Sequence, residues 1–90
     1  MIAILLLFPN FSAFAATEAA VAYSKGIVAF SDGNFEAALS HFKKAYKADP
    51  NNTDHIYLLG MAYFRLNDFD KAAKHLKELL EKNPKFTQAY

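Results

Sequence analysis

The residues of this chain best suited to chemistry are three histidines, His41, His55 and His75. Imidazole nitrogens serve as metal ligands and as general bases near neutral pH. His41 and His75 are 34 positions apart, and the chain contains no cysteine. Equivalent points on packed neighbouring helices are separated by about 8–10 Å, which is too far for two ligands on one ion. We therefore expect solvent-facing or half-buried histidines outside any carboxylate cluster, and no metal site.

The residues that catalysis needs do not form a recognisable pattern. No nucleophile stands beside a base, no glycine-rich loop could hold a phosphate, and no pair of carboxylates has a spacing that turns both inward. The sequence thus predicts a protein that is not an enzyme and uses no cofactor or small-molecule substrate.

The charge balance is close to neutral. Ten lysines and arginines face nine aspartates and glutamates, for a formal net charge of +1. The lysines of the predicted second and fourth helices alternate with acidic residues, which favours a solvated face over a nucleic-acid or anionic-membrane surface. Those lysines are Lys43, Lys44, Lys47, Lys71, Lys74 and Lys77.

Apolar residues at spacings of three and four predict helices as the elements that position these side chains. The stripes are clearest at Tyr23, Ile27 and Phe30, and then at Phe35, Leu39, Phe42 and Tyr46. Turn residues at 32–34 separate the first two helices, and Asp49-Pro50-Asn51-Asn52-Thr53 ends the second and can cap the third. We predict further helices from about 53 to 66 and from about 69 to 82, and no strand.

Several residues recur after 34 positions. Tyr23 returns as Tyr57, Gly26 as Gly60, Phe30 as Phe64, Phe35 as Phe69, Ala38 as Ala72 and Pro50 as Pro84. A shared period of this length is typical of two stacked copies of one helix–turn–helix unit.

The second copy contains Ile56-x-x-Leu59-Gly60-x-x-Tyr63, then Ala72-x-x-x-Leu76, then Pro84. This pattern resembles the tetratricopeptide repeat, a helix–turn–helix unit of 34 residues. Repeat one would span 19–52 and repeat two 53–86. Repeat one departs from the family pattern at Lys25 and Ala29, where large apolar residues are usual. The resemblance implies an all-α stack of repeats, an α-solenoid segment.

The resemblance also implies how the repeats pack. Gly26 and Gly60 would lie where the two helices of a repeat approach most closely, faced by Ala38 and Ala72. Four second-helix residues would then fill the space toward the next repeat: Phe42, Ala45, Leu76 and Leu79.

In this family the first helix of each repeat lines a concave groove that binds peptides or partner helices. The matching positions here are Tyr23, Ile27, Phe30 and Ser31 in repeat one, and Tyr57, Met61, Phe64 and Arg65 in repeat two. Such a lining of rings, aliphatic groups and one cation suits an apolar peptide or helix. Packing of some of these rings within or between the repeats is the alternative interpretation.

The first sixteen residues resemble a secretory signal peptide. An apolar run from Met1 to Phe8 ends at the helix-breaking Pro9-Asn10, and Ala13-Phe14-Ala15 offers a cleavage site. No lysine or arginine precedes the apolar run, which departs from the usual pattern. A membrane-spanning helix or an ordinary first helix of the fold are the alternatives. Export to the periplasm or envelope of a bacterium, with cleavage near Ala15, is the expectation.

These features together predict an exported repeat module that binds a protein or peptide partner as a scaffold. The alternative is a set of structural N-terminal repeats in a longer envelope-assembly or secretion-related protein whose function lies downstream. Residues 87–90 are in phase with the start of a third repeat. We expect the last repeat to be uncapped, with Leu76, Leu79 and Leu80 partly uncovered and self-association as a result.

Overall fold

The computed structural model describes the backbone of residues 2–85 and the side chains of residues 17–85. It contains four helices, α1 (Ile2–Ser31), α2 (Phe35–Ala48), α3 (Thr53–Arg65) and α4 (Phe69–Lys82), and no strand occurs in the described backbone. α1 packs on α2, α2 on α3, and α3 on α4. The predicted all-α architecture is confirmed, and the helix ends of the second unit agree with the prediction to within one residue.

The two turns within the helix pairs have the same backbone geometry. Gly33 has a φ of +80° and Asn67, which lies 34 positions later, has a φ of +66°. Glycine and asparagine are the residues that adopt this left-handed conformation at least cost. Both helix pairs therefore reverse direction by the same mechanism.

Side-chain caps begin the three later helices. The Asn34 side chain accepts a hydrogen bond from the Ala37 amide at 3.2 Å, and the Asp68 side chain accepts one from the Lys71 amide at 3.3 Å. Asn52 accepts from the first-turn amides of α3, including the Asp54 amide at 2.9 Å. Each cap satisfies amides that have no partner within the helix.

The core lies along the contact faces of these helices. Its largest fully buried side chains are Phe42, Ile56, Leu59 and Leu79. Small residues fill the remaining positions, so the helices approach closely; the buried alanines within residues 17–85 are Ala19, Ala22, Ala38, Ala45, Ala62 and Ala72.

Two large side chains lie against Gly26 and Gly60, in addition to the alanines predicted there. A Cβ atom built on Gly26 would lie 2.6 Å from Cδ1 of Phe42, and one built on Gly60 would lie 3.2 Å from Cδ2 of Leu76. The ring of Phe42 and the side chain of Leu76 thus cover the glycines from within the same repeat. The carbonyl of Ala72 also lies 3.6 Å from the Cβ position of Gly60, on the side predicted for its alanine partner. Phe42 belongs in addition to the buried cluster that contains Leu59 and Ala62 of repeat two, so covering Gly26 is a second role that the sequence did not predict.

The prediction that Leu79 is partly uncovered is wrong. Leu79 is 1 % exposed, whereas Leu76 and Leu80 are half-buried as expected. Leu79 follows Ala72 by seven positions and Leu76 by three, so the three residues share one stripe of α4. That stripe faces α3, because α4 packs on α3.

The N-terminal segment is helical throughout its described backbone. α1 runs from Ile2 across Pro9 and Asn10 without interruption, so the predicted helix break there is wrong. A proline inside a helix removes one hydrogen bond and crowds the carbonyl four residues earlier, which weakens or kinks a helix without always ending it. Among the described residues no helix is long and apolar enough to cross a membrane. The predicted start of a third repeat at 87–90 lies outside the described residues, as do the side chains around the predicted cleavage site.

Candidate functional site

The eight predicted groove residues follow one face of α1 and one face of α3, and we refer to them as the stripe. Five of them are half-buried and three are exposed. The half-buried ones are Tyr23, Ile27, Phe30, Tyr57 and Met61, and the exposed ones are Ser31, Phe64 and Arg65. The structure therefore leaves part of this aromatic and aliphatic surface accessible along both first helices.

Ring contacts show that α1 and α3 lie side by side in the same direction. Near the start of the stripe, the Tyr23 ring lies 5.4 Å from the His55 ring. Near its end, the Arg65 guanidinium lies 5.8 Å from the centre of the Phe30 ring. Both helices progress from the first contact to the second, so α1 and α3 run parallel.

At the N-terminal end of the stripe, the Tyr23 ring packs against the core. Its ring also lies 6.5 Å from the ring of Phe42, which is fully buried. His55 is 5 % exposed, and its Nδ1 has no hydrogen-bond partner. The prediction of a solvent-facing or half-buried histidine is thus wrong for His55, because Tyr23 covers it from the neighbouring repeat.

The other end of the stripe is an aromatic cluster covered by a cation. The rings of Phe30 and Phe35 meet edge to face at 5.1 Å. The Arg65 guanidinium lies over both, 5.8 Å from the Phe30 centroid and 5.6 Å from the Phe35 centroid. Attraction between a guanidinium and aromatic faces stabilises this contact between the repeats. Sequence reasoning identified Phe30 and Arg65 as site residues but placed Phe35 only in the core stripe of α2.

In repeat two the equivalent pair of rings is exposed to solvent. Phe64 and Phe69, the equivalents of Phe30 and Phe35, meet edge to face at 5.4 Å. They are 49 % and 54 % exposed. Phe69 was also missed as a surface residue, although its 34-residue relation to Phe35 was visible in the sequence.

A polar network on the second helices joins the two repeats. The Tyr46 hydroxyl on α2 donates a hydrogen bond of 2.8 Å to Oε2 of Glu78 on α4. Glu78 Oε1 lies 3.2 Å from Nδ1 of His75, and Lys82 Nζ lies 3.5 Å from Glu78 Oε2. His75 thus has one carboxylate neighbour, which the sequence did not predict. The Lys82 ammonium also donates to the Pro50 carbonyl at 3.1 Å, which ties α4 to the loop between the repeats.

This network shifts the pKa values of two of its members. Burial raises the pKa of Glu78, but hydrogen bonds from Tyr46 and His75, with the charges of Lys82 and His75, outweigh it and lower the pKa overall. The hydrogen bond to Glu78 raises the pKa of Tyr46, as do burial and the negative charge of Glu78. The network therefore favours an ionised carboxylate beside a neutral phenol.

His75 is also held between two aromatic rings. The Tyr63 ring stacks on it with a centroid distance of 5.7 Å and an interplanar angle of 3°, and the Tyr46 ring meets it edge-on at 5.5 Å. Tyr63 in turn has lysine ammonium groups near its ring, with Lys43 at 5.8 Å and Lys71 at 5.6 Å. In the part of the chain that the structure describes, no three His, Asp or Glu side chains converge closely enough to hold a metal ion.

Comparisons with known proteins agree with the helix pairs and their period. The family described as "Tetratricopeptide repeat" matches residues 29–90. The chain is 31 % identical over 61 residues to the probable UDP-N-acetylglucosamine–peptide N-acetylglucosaminyltransferase SEC of Arabidopsis thaliana, which covers 68 % of this chain and 6 % of that protein. It is 36 % identical over 56 residues to intraflagellar transport protein 70A of Bos taurus, covering 62 % of this chain and 8 % of that protein.

A third relative is intraflagellar transport protein 70B of Homo sapiens, with 33 % identity over 57 residues, 63 % of this chain and 9 % of that protein. The chain thus spans less than a tenth of the length of each of these relatives. On the family match and the two stacked helix pairs, the chain belongs to the tetratricopeptide repeat family, whose members generally act by binding other proteins.

Proposed function

We propose that the chain holds a protein or peptide partner along the stripe, as a scaffold or adaptor. The observation that supports this most strongly is the exposure pattern of the first helices. Ile56 and Leu59 of α3 are buried, whereas Tyr57 and Met61 on the same helix stay half-buried and Phe64 stays exposed. A partly open row of aromatic and aliphatic side chains is the composition that interface cores favour.

The chemistry of the stripe defines the partner's class. Its residues offer rings, one thioether and aliphatic carbon, and Arg65 is the single formal charge among them. Arg65 is exposed while it lies over Phe30 and Phe35, so it can also meet an acidic group at the rim. The partner best suited to this surface is an apolar face of a helix or an extended peptide.

Co-purification from cells that produce the protein tests this proposal. Met61→Lys places a charge in the middle of the stripe, and Lys47→Glu alters an exposed residue of α2 as the matched control. We expect Met61→Lys to weaken recovery of the partner about tenfold, which corresponds to about 1.4 kcal/mol. Lys47→Glu should retain it, with both variants as helical as the parent by circular dichroism. Equal recovery with both variants would show that the partner does not bind at the stripe.

The location of the protein is a separate proposal. We infer that residues 1–16 direct export to a bacterial envelope or periplasm and are removed near Ala15. The Ala13-Phe14-Ala15 pattern supports this. Ala19 is buried, and cleavage after Ala15 would leave it in place at the start of the repeat. Mass measurement of the protein recovered from its native cells should show an N-terminus at Ala16, and an intact N-terminus on the recovered protein would contradict export by cleavage.

The chain spans only 6 % to 9 % of the length of its relatives, and this suggests a second candidate function. The two repeats would then be structural elements of a longer envelope-assembly or secretion-related protein. The exposed Phe64–Phe69 pair supports this, because its equivalent in repeat one is covered by the next repeat through Arg65. Sedimentation of residues 17–90 at low micromolar concentration tests it: self-association is expected, and a monomer that unfolds cooperatively would argue against it.

A further inference from the structure

An open hollow of about 480 Å³ lies in repeat one between α1, the turn that follows it and His41 in the middle of α2. Ala29 and Val28 supply its apolar wall, and His41 lies at its side. Four polar residues complete the lining: Ser24, Lys25, Asp32 and Asn34. Ala29 follows the stripe residue Ile27 by two positions, about 200° around the helix, so the hollow opens on a different face from the stripe.

The 34-residue period shows what fills this place in repeat two. Ala29 is the equivalent of Tyr63, and His41 is the equivalent of His75. In repeat two the Tyr63 ring stacks on the His75 ring at 5.7 Å, with the two planes 3° apart. In repeat one the side chain ends at the Cβ atom of Ala29, so the space in front of His41 is left open.

His41 is available for such a contact. Its ring makes no hydrogen bond, ion pair or ring contact with other residues in the range 17–85, and it is half-buried. The carboxylate that engages His75 is Glu78, and its equivalent beside His41 is Lys44. His41 thus has neither the stacked ring nor the carboxylate that Tyr63 and Glu78 supply to its counterpart in repeat two.

The rim of the hollow argues against another repeat as the occupant. In repeat two the corresponding face is closed by α2, and there Leu59 and Ala62 are 2 % and 0 % exposed. Their equivalents in repeat one are Lys25 and Val28, both exposed. Packing a repeat on this face would bury the Lys25 charge without a partner, which is costly. A single ring with a polar tip fits the apolar wall and its polar rim better.

We propose that this hollow binds a tyrosine side chain of a partner polypeptide, stacked on His41 as Tyr63 is stacked on His75. The phenol ring would lie against Ala29 and Val28, and its hydroxyl would reach the polar rim around Ser24 and Asp32. This site is independent of the proposed function of the stripe, because it uses a different face of α1.

A titration followed by amide and imidazole NMR signals tests the proposal on the full chain. The probe is N-acetyl-L-tyrosinamide, and N-acetyl-L-leucinamide is the matched aliphatic control. We expect saturable shifts at Ala29 and at the His41 ring with the tyrosine probe, and at least tenfold weaker effects with the leucine probe. Absence of saturable shifts at His41, or equal shifts with both probes, would overturn the proposal.

Two variants sharpen the result. Ala29→Tyr fills the hollow with the ring that repeat two already accommodates, so it should abolish the shifts without lowering the melting temperature. His41→Ala removes the stacking partner and should weaken the probe about tenfold, which decides the matter if Ala29→Tyr does not fold. Met61→Lys should leave the titration unchanged, so failure of the stripe and failure of this site are distinguishable. Undiminished binding in both Ala29→Tyr and His41→Ala would contradict the site.

Discussion

The Tyr46 hydroxyl of repeat one donates a hydrogen bond of 2.8 Å to Oε2 of Glu78 in repeat two. The two residues are 32 positions apart and lie on second helices that otherwise make few contacts with each other. Glu78 also engages His75 and Lys82, so one carboxylate holds several parts of the stack together. Contacts between repeats determine how cooperatively a solenoid unfolds, and this residue pair is therefore a point where the stack can be tested.

The Glu78 carboxylate should make stability depend on pH in the acid range. Its pKa in the folded chain is below the ordinary value of 4.5, so the unfolded chain binds more protons in that window. The stabilisation is present above pH 4.5 and is lost as the pH falls through the folded pKa. Urea unfolding at several pH values should therefore show Glu78→Gln less stable than the parent near neutral pH, with a smaller difference in acid.

Tyr46→Phe is the matched variant for the same bond. It removes the hydroxyl and keeps the ring against His75, so it should cost about 1 kcal/mol at neutral pH. The pKa of Tyr46 is raised, so the contribution of the neutral phenol is present below the ordinary value of 10.0 and is lost as the pH rises through the folded pKa. A stability difference between the parent and Glu78→Gln that stays constant from pH 3 to pH 7 would contradict this role of the carboxylate.

The two buried glycines should respond differently to the same substitution. In Gly26→Ala the new methyl group would overlap the ring of Phe42, which is fully buried and cannot move aside, so the expected loss is about 1–3 kcal/mol. In Gly60→Ala the methyl group meets the flexible, half-buried Leu76 side chain at 3.2 Å.

A gain of about 1 kcal/mol in helix propensity offsets much of that contact, so Gly60→Ala should change stability little. Thermal unfolding followed by circular dichroism compares the two variants directly. A Gly26→Ala protein as stable as the Gly60→Ala protein would show that the Phe42 ring does not limit the approach of α1 and α2.

Arg65 should stabilise the interface between the repeats through its contacts with the rings of Phe30 and Phe35. Replacement by methionine keeps the length and apolar bulk but removes the cation, and should cost about 0.5–1 kcal/mol because the site is exposed. In a Phe35→Leu background the same replacement should cost less, since one of the two rings is gone. A double-mutant cycle by urea unfolding measures this coupling, and full additivity would mean that no cation–ring contact contributes.

The sequence predicted the helices well because their signals are local. The apolar spacings, the turn residues and the capping residues each act within a few positions, and the structure confirms the turns at Gly33 and Asn67 and the cap at Asn52. The helix end predicted at Pro9 was wrong, because α1 continues across that residue.

The site was predicted less completely, because which face of a helix is covered depends on neighbours far along the chain. Phe35 and Phe69 have the same residue type and position in their repeats, yet only Phe35 is covered, and the covering residue is Arg65. His55 is buried by Tyr23 from another repeat, and Glu78 finds Tyr46 at 32 positions' distance. No local pattern contains these relationships.

Site-specific photo-crosslinking tests the central claim, that the stripe is the surface on which a protein partner binds. A benzophenone amino acid replaces Met61 in the stripe in one variant and Lys47 on the exposed side of α2 in the other, and both are irradiated in the cells that produce the protein. We expect a discrete crosslinked species of higher mass from position 61 and none from position 47. The same species from both positions, or from position 47 alone, would contradict it.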